Sequence, residues 1–127
     1  MSASGSPSVA ASSGFTVSAN NVEGQKTGLV FYGISGPKAS VWAPGSTSYL
    51  CVKSPVQRLP SQSSNGTSNA CDGTMSDDVL AYFASHPGAL GQPLTAGTVC
   101  NAQCWFRDPP APGTTNLSDG IQWTFCP

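Results

Sequence analysis

Glycine and proline recur so densely along this chain that its secondary structure has to come in short pieces: 14 Gly and 11 Pro in 127 residues, with Ser and Thr filling many of the gaps. Turn formers at that spacing join short strands, which makes an all-β architecture the expectation. The length suits one domain with a single core. The opening MSASGSPSVAASSG has neither a positive segment nor an apolar run of the kind that starts a secretory signal. Residues 1–13 therefore read as a flexible Ser/Ala/Gly-rich tether, and 14–127 as one domain cut from a longer secreted chain.

From Phe15 the pattern changes. Phe15, Val17 and Ala19 alternate with Thr16 and Ser18, the period of a half-buried strand. GLVFYG is a continuous apolar run bounded by glycines and reads as an inner strand covered on both faces. Further strands are expected at Ala39–Trp42 and Ser48–Lys53, split by Pro44-Gly45, with VQRLP as a fifth. For residues 75–85 a strand running into a short helical turn is expected, with Ser76 as N-cap ahead of Asp77 and Asp78. The last two strands lie in TAGTVCNAQCWFRD and SDGIQWTFCP, joined by the loop PPAPGTTNL. About seven strands fit an antiparallel two-sheet β-sandwich, jelly-roll or Ig-like, with at most one short helix.

Charge is scarce: five Lys/Arg oppose six Asp/Glu, for a net charge of −1. Without a basic face, nucleic acid is not an expected partner. No run approaches the ~18 apolar residues of a membrane span. Hydrophobic residues at 39% still provide a core, so low charge here does not mean disorder. A hydroxyl-rich, nearly uncharged surface together with five cysteines points to an oxidising, extracellular or cell-surface location.

Cys51 and Cys71 flank the polar loop SQSSNGTSN and read as a disulfide closing about 20 residues, worth roughly 3 kcal/mol in the chain-entropy view. With Asp108 and Asp119 placed together at the top of the final hairpin, Cys100 falls almost opposite Cys126, and Cys104 is left as a buried free thiol facing Trp123. A slip of two residues or a bulge would instead move the bridge to Cys104. Metal binding is not expected: Cys100 and Cys104 on one strand stand ~13 Å apart, too far for one zinc, and no second Cys or His pair is near. A calcium site from Asp72, Asp77 or Asp78 has no recognised spacing behind it. No cofactor is expected.

Catalysis finds few parts. His86, the one histidine, sits in a Ser-His-Pro turn, and Asp77 and Asp78 are adjacent, so on a strand they face opposite ways. Asp108 reads as a turn cap, with Arg107 and Asp119 as partners across the hairpin. The aromatics carry more promise. Trp105 shares a strand face with Gln103 and Arg107, while Cys104 and Phe106 share the other; Trp123 reads as core. An outward Trp flanked by Gln and Arg suits carbohydrate, because a sugar's C–H face stacks on the ring while amide and guanidinium bind hydroxyls. The alternative is that Trp105 packs under PPAPGTTNL. Candidate ligand-binding residues are Trp105, Gln103, Arg107, Trp42 and Tyr49, with a polysaccharide or cell-surface glycan as partner and no catalytic residue.

The segments LCVKSPVQR, ACDGTMSDD and above all CWFRDPPAPGTTNLSDGIQWTFCP resemble an uncharacterised domain at the C-terminal end of secreted proteins from planctomycetes and related environmental bacteria. The resemblance covers roughly residues 28–127. In those relatives an aromatic-Arg-Asp-Pro strand end precedes an Asn-Leu-Ser-Asp-like turn and a terminal strand. They carry one cysteine near position 102, where this chain has Cys100 and Cys104. The resemblance implies a bacterial secreted β module, accessory to a larger protein and itself a monomer or part of that chain. The alternative function is a structural, anchoring or assembly domain without a small ligand, offering an edge strand.

Overall fold

The computed structural model describes residues 1–127 as an antiparallel β-sandwich with one short helix. The first sheet has the order β1-β2-β8, from β1 (Ser2–Gly5), β2 (Phe15–Val22) and β8 (Gly73–Asp78). The second is built on β3 (Thr27–Gly33) and β9 (Val99–Arg107), which pair from Gly28↔Phe106 to Gly33↔Asn101. Beyond β3 lie β6 (Val56–Arg58) and the two-residue β7 (Gln62–Ser63); beyond β9 lie β10 (Thr115–Leu117) and β11 (Ile121–Thr124). A separate hairpin of β4 (Pro37–Val41) and β5 (Tyr49–Val52) forms a third layer on the outer face of that sheet.

Alternation explains the layers. Val30 and Tyr32 of β3, with Cys100 and Ala102 of β9, face the first sheet and join Phe15, Val17 and Phe83 in the main core. Aromatic rings tie this core together, Phe15 to Trp123 at 5.4 Å and Phe83 to Phe125 at 5.9 Å between centroids. The other set of side chains, with Leu29, Phe31 and Trp105, meets Trp42, Leu50 and Val52 of the hairpin in a smaller cluster. The expected inner strand GLVFYG is thus covered on both sides, as its unbroken apolar run requires.

The strand-to-helix expectation for 75–85 is met by β8 leading into α1 (Val79–Ser85), but the N-cap is Asp78 rather than Ser76. Ser76 stays in the ladder opposite Ser18, whereas the Asp78 carboxylate accepts from Ala81 N–H at 3.1 Å. Residues 1–13, expected as a tether, carry β1, which pairs with β2 from Ser2↔Ser18 to Gly5↔Phe15. Val9 N–H also donates to Cys126 C=O at 2.8 Å, so this segment is tied to the C-terminal end of the chain.

The disulfide assignments are corrected: Cys51, Cys71, Cys100, Cys104 and Cys126 are all unbonded thiols. Cys51 lies beside Gly120 and receives its fixed position from Gln103, while Cys71 follows Ala70, whose C=O is held by Gly24 at the turn between β2 and β3. The two therefore sit among different neighbours and are not bonded to each other. In the final hairpin the register puts Trp123, not Cys126, opposite Cys100, and Cys126 runs on past β11 to donate its N–H to Pro7. The cause is the early turn: Asp108 N–H donates to Thr114 C=O and Thr115 already pairs with Arg107, so the returning strand starts before Asp119, and the break at Ser118-Asp119-Gly120 then shifts the pairing by only one residue. Cys104 is indeed a buried thiol, but it lies against Met75 at 3.5 Å instead of facing Trp123. Burial pushes the Cys100 and Cys104 thiols up to about 12, which leaves both protonated and unreactive at neutral pH.

Candidate functional cleft

The outer face of the second sheet is only partly covered by the β4–β5 hairpin, and the uncovered part forms an apolar cleft of about 300 Å³. Its floor is Leu29 and Phe31 of β3 with Trp105 of β9. Its sides are Val56 and Arg58 of β6, and Trp42, Leu50 and Ser54 from the hairpin and the turn that follows it. The register accounts for the floor: Leu29 stands opposite Trp105 and Phe31 opposite Arg58, so adjacent strands present these side chains on one face.

Both tryptophans are half-buried and held in place. Trp42 donates from Nε1 to Thr115 Oγ1 at 3.0 Å. Trp105 carries the Arg107 guanidinium over its ring at 5.7 Å, a cation–π contact that covers part of the indole. Of the segment PPAPGTTNL, Pro112 and Gly113 lie against Gly45 and Ala43 at the hairpin turn, while Leu117 stands opposite Trp105 and shares its apolar cluster.

Gln103 shares the Trp105 face, as alternation requires, yet cannot serve a ligand. It is fully buried, at 0% exposure, because β5 lies directly over it. Its Oε1 accepts from Cys51 N–H at 2.7 Å, and its Nε2 donates to Tyr49 C=O at 2.9 Å and Ser118 C=O at 2.7 Å. Those bonds peg the hairpin and the Ser118 break to the centre of β9. Tyr49 is 52% exposed but borders a separate depression with Ser48, Asn116 and Asp119. Of the five candidate residues, then, Trp42 and Trp105 meet in the cleft, Arg107 stacks at its edge, Gln103 is internal, and Tyr49 is elsewhere.

Arg58, Leu29, Phe31, Leu50, Ser54 and Val56 were not foreseen as cleft residues. The signal for Arg58 was present in VQRLP, where Val56 and Arg58 share a strand face, but only the pairing with β3 shows which face that is.

The carboxylates are occupied elsewhere. Glu23 pairs with Lys26 at 3.2 Å, Asp72 accepts from Thr67 N–H, Asp77 from Gln62, and Asp108 from Asn116. Asp119 contacts the Met1 amino group rather than Arg107, which corrects the expected cross-hairpin ion pair. Asp72, Asp77 and Asp78 do not converge with other ligating groups into a metal cluster. His86 stacks on Tyr82 with centroids 4.1 Å apart and accepts or donates at Nδ1 to Ser85 Oγ, as a residue of the helix C-terminal turn.

Comparison with family models, curated proteins and solved structures finds no match to this chain.

Proposed function

We propose that this protein is a non-catalytic extracellular binding module, accessory to a larger bacterial secreted protein, and that the cleft between Trp42 and Trp105 receives a sugar ring of a polysaccharide. The observation that carries the reading is the convergence of two tryptophans, distant in sequence, on one open cleft whose volume lies at the lower end of the range for small-molecule sites. An indole held by a hydrogen bond or a stacked guanidinium is a pre-positioned platform for the C–H face of a pyranose, so little side-chain entropy is lost on binding. Ser54 and Arg58 at the rim offer polar groups to ring hydroxyls. The non-catalytic part rests on the carboxylates, each of which serves a partner away from the cleft. The extracellular part rests on a surface poor in charge and rich in hydroxyl groups.

Titration with a panel of soluble polysaccharides, read by tryptophan fluorescence, tests the proposal. At least one polymer is expected to shift the emission, with the shift lost in Trp105→Ala and strongly weakened in Trp42→Ala. No response to any polymer, or binding unchanged in both variants, refutes it. The rival reading, an assembly domain, draws on β1, whose four residues are all exposed at the edge of the first sheet. It predicts concentration-dependent oligomers and an inert cleft.

A further inference from the structure

The cleft lining carries charge of one sign only. Of the five Lys and Arg, only Lys26 forms an ion pair, with Glu23 at the turn that leads into β3. The other four, Lys38, Lys53, Arg58 and Arg107, make no ion pair and are exposed. Lys38 lies in β4, Lys53 directly after β5 and before Ser54, Arg107 at the end of β9, and Arg58 of β6 is the one that lines the cleft. The acidic groups are placed differently. Asp72, Asp77 and Asp78 lie in or beside β8 of the opposite sheet, Glu23 pairs with Lys26, Asp108 accepts from Asn116 and Asp119 contacts the Met1 amino group, and no carboxylate lines the cleft. A chain with a net charge of −1 thus lines its tryptophan cleft with one cation, Arg58, and no carboxylate.

We infer that the cleft selects an acidic polysaccharide, one whose sugar rings carry a carboxylate or a sulfate ester. This rests on the carbohydrate reading above and narrows it. Arg58 is the residue that recognises the acid. It lines the cleft opposite Phe31 on the neighbouring strand, and its guanidinium has no hydrogen bond or ion pair within the protein. A planar guanidinium presents paired N–H donors that match an oxyanion. A ring stacked between Trp42 and Trp105 brings a substituent to that edge of the cleft. Arg107, held over the Trp105 ring, adds a longer-range attraction that is screened by salt.

The test uses the full chain with four probes: polygalacturonate, the same polymer after reduction of its carboxyl groups, dextran sulfate and unmodified dextran. Binding is followed by tryptophan fluorescence at low and at physiological salt. The expected result is that polygalacturonate or dextran sulfate binds ~10-fold or more tightly than its neutral counterpart, the difference being lost in Arg58→Gln. Which of the two is preferred identifies the acid group. Because Arg58 is exposed, Arg58→Gln is expected to fold, and unchanged urea unfolding confirms it. Equal binding of charged and neutral forms overturns this inference while leaving the carbohydrate proposal standing. Binding of polyglutamate as tight as that of the acidic sugars, unaffected by Trp105→Ala, also overturns it, since that is charge attraction without a ring. No binding of any polymer removes the carbohydrate proposal itself.

Discussion

Replacing Gln103 by leucine is the sharpest test of how the cleft is held open. Leucine keeps most of the volume at a position with 0% exposure, so packing changes little, but three hydrogen bonds of 2.7, 2.9 and 2.7 Å disappear. At a net ~0.5–1.5 kcal/mol each the loss is about 1.5–4.5 kcal/mol. The apolar side chain returns some of this, while the Cys51 N–H is left without its acceptor under the hairpin. A destabilisation of about 2–4 kcal/mol is expected, a large share of the stability of a domain this size. Equilibrium urea unfolding at unchanged m gives the value directly. Hydrogen exchange adds a local readout: the Cys51 amide loses protection, whereas amides of the β2–β8 ladder keep theirs relative to global stability. A loss under ~1 kcal/mol with the Cys51 amide still protected would show that the β4–β5 layer does not depend on Gln103, and the account of the cleft wall would fall with it.

Thr115→Val removes the acceptor of the Trp42 indole and is expected to cost about 1 kcal/mol in urea unfolding and to weaken polysaccharide binding through a mobile ring. Two neighbouring carboxylates should respond to pH in opposite directions. Burial raises the Asp78 carboxyl, but the N–H groups of Gly14, Ala81, Phe15 and Leu80 outweigh it and hold the group below its ordinary value of 3.8. Its contribution is therefore complete above 3.8 and is lost as pH falls through the lower folded value, so Asp78→Asn should flatten the acid limb of the stability curve. Burial raises Asp77 above 3.8, with the Gln62 hydrogen bond opposing it, so stability falls as pH rises through the raised folded value. Asp77→Asn should accordingly be more stable than the parent at neutral pH, with the advantage vanishing in acid. Thiol titration of the native protein should label Cys71 first and leave Cys100 and Cys104 untouched until unfolding, when all five react. Fewer than five thiols in denaturant without reductant would point to a disulfide the structure lacks.

Much of the architecture was legible one strand at a time. The alternation from Phe15 to Ala19, the unbroken GLVFYG and the acidic entry to α1 each report local burial or a backbone preference that neighbouring residues settle among themselves. Which residues share a side of β9 was legible too, Cys104 with Phe106 and Trp105 with Gln103, but only the structure puts Cys104 in the core and Trp105 on the other face. What covers each face was not. A period of two separates the sides of a strand without saying what lies over them, so Gln103, read as a surface amide, turned out to be the peg beneath a hairpin from 50 residues earlier in the chain. The pairing of the cysteines failed for a related reason. Register across the final hairpin is set where the chain turns, with Asp108 bonded to Thr114 instead of lying beside Asp119, and the break at 118–120 adds a shift of one residue. The cleft itself belongs entirely to the tertiary level: Trp42, Arg58 and Trp105 become neighbours only when β4, β6 and β9 assemble around β3, and no spacing along a chain encodes a contact made by three strands that fold in from different directions.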